Sequence, residues 1–158
     1  MKVLAFDPGY DRLGVAVLEQ QNGKEVLLFS VCVETEKTAP LAVRLAYIGN
    51  EIARLIQEHK PDVVALETLF FNKNIKTALG VAQARGVIIF LAQNAGCTIC
   101  EFGPQEIKVA VTGYGKSDKS AVIAMVKRLI KNAPETALDD EYDAIAVGIT
   151  AIAHHRSS

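Results

Sequence analysis

Lys2-Val3-Leu4-Ala5-Phe6-Asp7-Pro8-Gly9 decides how the rest of the chain is read. A short apolar run ends in a single carboxylate, and Pro-Gly then turns the chain. Runs of this kind, closed by turn residues, form buried central strands. Asp7 therefore stands at the rim of a sheet, fixed by the core behind it and open to solvent in front. A carboxylate held there loses hydration, and a bound cation is the usual compensation. An Asx-turn before Pro8 would use the same residue as punctuation only. What separates the two readings is whether other acids reach the same place.

Working outward, residues 13–18 predict a second strand, Gln21-Asn22-Gly23-Lys24 a hairpin turn, and residues 25–34 its partner, making an antiparallel meander. Thr38-Ala39-Pro40 opens a helix in which Leu41, Leu45, Ile48, Ile52, Leu55 and Ile56 share one face. Lys60-Pro61-Asp62 ends it. Val63-Val64-Ala65-Leu66 is another short apolar run, and it too finishes in an acid, Glu67. A strand that follows a helix at this spacing lies parallel beside the first. Asp7 and Glu67 then share the carboxyl edge, where open α/β sheets hold ligands.

Residues 76–94 predict a long helix whose apolar side chains spread widely around it, buried on one side by the sheet and on the other by a second subunit. Gly96 stops it, and residues 98–102 are the last strand. Gly103-Pro104-Gln105 starts a short helix through Val111, and Ser117 caps the next, with its stripe of Val122, Met125, Val126, Leu129 and Ile130. The expected fold is α/β, one domain over residues 1–158. Its mixed five-stranded sheet combines the antiparallel meander with parallel strands and is flanked by helices.

The last helix, from Leu138, carries more acids. Asp139 and Glu141 suit the positive end of its dipole. Asp140 and Asp143, three residues apart, share a face that continues into Ala144, Val147 and Ala151, the side laid on the sheet. Asp7, Glu67, Asp140 and Asp143 are thus the candidate catalytic and metal-binding residues. An all-oxygen set suits Mg²⁺, with Mn²⁺ as substitute, and does not suit structural zinc. Four acids exceed what one Mg²⁺ takes from protein, so two ions sharing Asp7 are expected. Two metals about 3.5–4 Å apart clamp the attacking water and the leaving oxygen of a phosphoryl displacement. His154, His155 and Arg156 suit the negative end of the same helix as solvated caps.

The 158 residues carry a net charge of −1, so any nucleic-acid surface must be local rather than global. The densest basic stretch holds Lys108, Lys116, Lys119, Lys127, Arg128 and Lys131. Lys108 and Lys119 are candidates for phosphate neutralisation, with Lys73, Lys76 and Arg85 extending the track. Phe70 and Phe71 follow Glu67 closely, where one ring could stack on an unpaired base and the other enter the core. Gly115-Lys116-Ser117 is not a phosphate loop, because Ala110 stands where the upstream glycine is required. Cys32, Cys97 and Cys100 read as free thiols, and the Cys97–Cys100 spacing on a strand turns the two sulfurs to opposite sides. No signal peptide, transit segment or membrane-length apolar run stands out, so a cytoplasmic protein without membrane contact is expected.

Phe6-Asp7-Pro8-Gly9, Leu66-Glu67 with Phe70, Asn72-Lys73-Asn74, Gln83-Ala84-Arg85-Gly86, Lys108, Gly113, Gly115, Lys119-Ser120 and Asp140-x-x-Asp143-Ala144 follow one another over essentially the whole chain. In that order they resemble the RuvC family of Holliday-junction resolvases. The resemblance implies a ribonuclease H-like fold and a homodimer that nicks four-way DNA junctions symmetrically in recombination and repair. It further implies Mg²⁺-dependent hydrolysis to 5′-phosphate and 3′-hydroxyl ends, in company with branch-migration proteins. It carries metal binding onto Asp7, Glu67, Asp140 and Asp143, a base wedge onto Phe70, and DNA contact onto Lys108 and Lys119. The helix with Gln83 to Gly86 is similar to the family's dimer element. Leu13-Gly14-Val15-Ala16 departs from the family's usual Thr-Gly-aromatic-Gly step, and Arg12-Leu13-Gly14-Val15-Ala16 resembles the YqgF group, relatives on the same fold. The alternative is therefore a catalytically silent nucleic-acid-binding or YqgF-like module.

Overall fold

The computed structural model describes residues 1–68 and 75–157. β1 (Lys2–Asp7) pairs antiparallel with β2 (Arg12–Gln21), which pairs antiparallel with β3 (Lys24–Glu34). α1 (Leu41–His59) leads to β4 (Val63–Glu67), parallel to β1. α2 (Ile75–Asn94) leads to β5 (Thr98–Phe102), parallel to β4. α3 (Pro104–Thr112), α4 (Lys119–Leu129) and α5 (Asp139–Ser157) complete the chain, and the sheet order is β3-β2-β1-β4-β5. This is the mixed five-stranded arrangement that the sequence predicts.

The hairpin between β2 and β3 turns on Asn22 and Gly23, both at positive φ (50° and 76°), as a two-residue hairpin loop demands. The central strands are buried on both faces, and alternate residues sort into two cores. Leu4, Phe6, Val64 and Leu66 face α1 and α2, whereas Val3, Ala5, Val63 and Ala65 face α3, α4 and α5. Small residues on the second face let α5 come close. At Gly148 a Cβ would stand 2.3 Å from Leu18 Cδ1, so helix and sheet touch there without room for a methyl group. α5 is consequently buried almost all round over Ala144–Ile152, including the predicted Ala144, Val147 and Ala151.

Four local expectations change. Asp118, not Ser117, caps α4, accepting from the Ala121 N–H at 2.8 Å; Ser117 instead bonds Thr112 and the Tyr114 carbonyl. Within α1, Leu41 is exposed, and the buried positions are Arg44, Ile48, Ile52 and Leu55. Arg156 is no solvated cap: it pairs with Glu25 at 2.9 Å and donates to the Gly23 carbonyl, tying the end of α5 to the hairpin.

The fourth change concerns α2. By length and composition it is apolar enough to cross a membrane, the one such helix among the described residues. Its buried stripe is narrow and mostly small (Gly80, Ala84, Ile88, Ala92), while Ile75, Leu79 and Phe90 stand outside. A groove of about 590 Å³ lies between α1 and α2, lined by Leu45, Gly49, Gln83, Val87 and Phe90. The cysteines are free, with Cys97 in the α1/α2 core and Cys100 packed toward α5.

Candidate active site

β1 and β4 run in register as far as Phe6 and Leu66, so Asp7 and Glu67 are the next residues out on neighbouring parallel strands. Both keep the parity of Ala5 and Ala65 and therefore point toward α5. The approach of α5 is set by Gly14, which pairs with Asp7 across β1 and β2. A Cβ on Gly14 would fall 1.8 Å from the Asp140 carbonyl oxygen and 3.1 Å from Asp7 Cβ. The first turn of α5 thus rests directly on the Asp7–Gly14 pair, and Asp143 follows on the buried face.

The charges register this crowding. Burial pushes the Asp7 carboxyl up to about 8, and the charges of Asp143, Glu67 and Asp140 add to it, with Lys119 opposing. Burial and Asp143 also raise Glu67, against Lys119, Lys108 and Arg85. Asp143 is raised mainly by burial even though Lys119 donates to it at 2.9 Å. The same ammonium lies 3.6 Å from Asp139. Burial works against the charge of Lys119, but its acidic neighbours outweigh that and raise it. Four acids from β1, β4 and α5 therefore share one field, as the sequence predicts, and protein cations balance it incompletely.

Lys108 and Lys119 line one cleft of about 270 Å³ with Glu67 and Asp143, floored by Ile107 and Val122. The two lysines predicted to meet phosphate and two of the acids thus line the same cleft. Arg85 is placed differently from the open basic track predicted for it. Its side chain is only 11% exposed, donating to the Glu67 carbonyl and pairing with Glu101. It braces the end of β4 under Glu67. Phe70, Phe71 and Lys73 lie outside the described residues.

Sequence reasoning missed the groups that hold the loop after Asp7. Arg44, buried in α1, pairs with Asp11, donates to Thr35 Oγ1 at 2.9 Å and stacks 5.0 Å from the Tyr10 ring centroid. The Tyr10 ring also packs on Gly80 of α2, where a Cβ would meet it at 2.4 Å. The signal for Gly14 was present, since a glycine inside a strand marks close approach of another backbone. Nothing in the local sequence distinguishes Arg44 from a solvated helix arginine.

Among the described residues no three His, Cys, Asp or Glu side chains stand together as a finished metal cage. The chemistry of the set nonetheless fits a hard divalent cation: oxygen donors only, partly buried, mutually repelling, and holding a cation, Lys119, already. Loading the site would require Asp143 to exchange the ammonium for the metal.

Residues 3–154 match the family model described as crossover junction endodeoxyribonuclease RuvC. The chain belongs to the RuvC family. The match spans all four acids. The crossover junction endodeoxyribonuclease RuvC of Thermosipho melanesiensis is 42% identical over 147 residues, covering 93% of this chain and 94% of its own. Two solved structures of Thermus thermophilus RuvC share the fold over 99% of this chain and 96% of theirs. The first has a TM-score of 0.89 at 29% identity; the second, in complex with a Holliday junction substrate, has 0.92 at 28%. The ribonuclease H-like fold follows from these matches, and RuvC nucleases are metal-dependent.

Proposed function

We propose that this chain is an endonuclease that resolves four-way DNA junctions by paired nicks, leaving 5′-phosphate and 3′-hydroxyl ends. One observation carries the reading: acids from β1, β4 and α5 meet at one sheet edge beside Lys108 and Lys119, with Asp7 pushed up to about 8 by burial and like charge. Asp7, Glu67, Asp140 and Asp143 would hold two Mg²⁺ ions, or Mn²⁺ in their place. A bound pair of this kind activates water and stabilises the leaving 3′ oxygen. The chain's own residues do the rest. The α5–β2 contact at Gly14 fixes the acids relative to one another, and Arg85 steadies Glu67. Lys108 and Lys119 neutralise the phosphates flanking the cut, and Phe70 wedges an unpaired base.

The open apolar side of α2, with Leu79 and Phe90, is the face by which two copies would pair, which supports a homodimer with one site per opposed strand. The same reading puts the protein in the cytoplasm, supplied with junctions by branch-migration proteins. Cleavage of a synthetic four-way junction tests it. The wild-type protein should nick opposed strands with Mg²⁺ and not with EDTA. Asp7→Asn should bind the junction and cut at least about 10³-fold more slowly. A wild-type protein that binds junctions and cuts none, with either Mg²⁺ or Mn²⁺, would instead be the silent binding module.

A further inference from the structure

The acid centre has a second flank. On the side away from Lys108 and Lys119, a cleft of about 360 Å³ is lined by Tyr10, Asp11, Arg12, Lys37, Thr77 and Asp140, with the Asp11 carboxylate already paired to Arg44. Asp140 forms its inner wall, so the cleft is continuous with the carboxylates. Its outer wall carries two cations from separate parts of the chain, Arg12 at the start of β2 and Lys37 after β3.

Neither cation is consumed by the fold. Arg12 lies 3.8 Å from Glu34 and 3.9 Å from Asp140, both at the far limit of ion pairing, and its side chain is 45% exposed. An arginine forks five N–H donors, and two distant, partly solvated acids leave most of them unused. Lys37 is exposed, and among the described residues it makes no ion pair. The floor, by contrast, is rigid. Tyr10 packs against both Arg44 and Gly80, and a Cβ on Gly9 would stand 2.2 Å from the Arg12 carbonyl oxygen. A fixed floor, two available cations and a shared wall with the acids make a cradle for an anion that continues from the reaction centre.

We propose that Arg12 and Lys37 bind the backbone phosphates of the scissile strand on the side of the cut opposite to those held by Lys108 and Lys119. The strand then crosses the acids gripped at both ends. This rests on the junction-resolving reading above. Arg12 acts as a positioning residue: it holds the substrate backbone and does not touch the reacting phosphate.

The test is a junction whose scissile strand carries one neutral methylphosphonate at successive positions on either side of the cut. Binding is measured by fluorescence anisotropy in EDTA, separately from cleavage. Wild-type protein should lose affinity severalfold at sensitive positions on both flanks. Arg12→Gln with Lys37→Gln should bind the unmodified junction about 10-fold more weakly, with a salt dependence shallower by about one to two counterions. It should become insensitive to substitution on one flank only. Lys108→Gln should become insensitive on the other. Arg12→Lys should recover part of the affinity, since the charge returns without the fork.

If the double variant keeps the wild-type profile and salt slope while the wild-type protein binds and cuts junctions, the proposal is wrong and the resolvase reading stands. If the double variant loses affinity equally at every position, the effect is general charge and the proposal also falls. If wild-type protein neither binds nor cuts a four-way junction, the resolvase reading fails first and takes this proposal with it.

Discussion

The two ends of β1 carry charged side chains beside the same neighbour, β4, and the protein treats them in opposite ways. At the amino end, the Asp62 carboxylate accepts from the Lys2 N–H at 2.7 Å, and the Lys2 ammonium donates to the His59 carbonyl at 3.0 Å. The Asp62 backbone links Lys2 to Thr98, so one residue stitches β1, β4 and β5 together. Charges here find partners within the protein. At the carboxyl end, Asp7 and Glu67 meet Asp143 and Asp140 with one direct ammonium between them, and burial disfavours the ionised state of three of the four. The first arrangement stabilises the fold. The second costs stability, and its compensation comes only from what binds.

The largest way to break the contrast is Asp7→Asn. It should abolish cleavage, at least about 10³-fold, while relieving repulsion at the carboxyl end. Metal-free Asp7→Asn should therefore unfold at a higher denaturant concentration than wild type at pH 9, above the value of about 8 at which wild-type Asp7 ionises. A variant both inactive and less stable would make Asp7 an ordinary structural acid.

Much of this end was legible in the sequence, because period-two alternation and abrupt acid endings are local signals. Asp7 and Glu67 announce themselves by closing apolar runs, and Asp140 and Asp143 by sharing a helix face with small residues. What could not be read depends on distant partners. Arg85 reads from the sequence as part of an open basic track, yet tertiary contact turns it toward the Glu67 carbonyl and Glu101. Arg44 is hidden for the same reason. Asp118 displaced Ser117 as a cap because the two stand side by side and only backbone geometry chooses between them. The breadth of apolar residues on α2 predicted one side on the sheet and one on a second subunit; the single chain buries the first and leaves the second open.

The next largest effect separates two glycines of the α5 contact. Gly14→Ala drives a methyl group into the Asp140 backbone at 1.8 Å, which cannot yield without shifting the helix start. It should cost about 1–3 kcal/mol or more and reduce cleavage more than junction binding. Gly148→Ala meets the tip of the Leu18 side chain, which can rotate away, so about 1 kcal/mol and near-normal cleavage are expected. Equal loss of activity in both variants would mean that α5 moves as one body and Gly14 has no special hold on the acids.

pH sharpens the comparison. Asp7 ionises at about 8 in the folded protein and near 3.8 when unfolded, so the folded state binds the extra proton between these values. Stability from this group is fully present below pH 4 and is lost as pH rises toward 8. Glu67 and Asp143 are raised too and act in the same direction. Urea denaturation in EDTA should therefore show metal-free protein weakening by up to a few kcal/mol from pH 5 to pH 8. Asp7→Asn should flatten the slope. A wild-type profile that is level across this range would show that the acids are better solvated than their burial implies.

The smallest effect belongs to the amino end. Asp62→Ala removes a carboxylate that accepts a strand N–H at the sheet's exposed margin, where water can replace part of what is lost. Its melting temperature should fall by about 2–4 °C, since a single hydrogen bond near the surface contributes on the order of 1 kcal/mol. Cleavage measured well below that temperature should be unchanged, because β1 remains anchored to β2 and β4 along the rest of its length. Chelator should leave the Asp62→Ala shift as it is, whereas it should reverse the sign of the Asp7→Asn effect relative to metal-loaded protein. If Asp62→Ala depressed cleavage as strongly as Gly14→Ala, strain at one end of β1 would reach the other. The two ends would then be one coupled device rather than a support and a site.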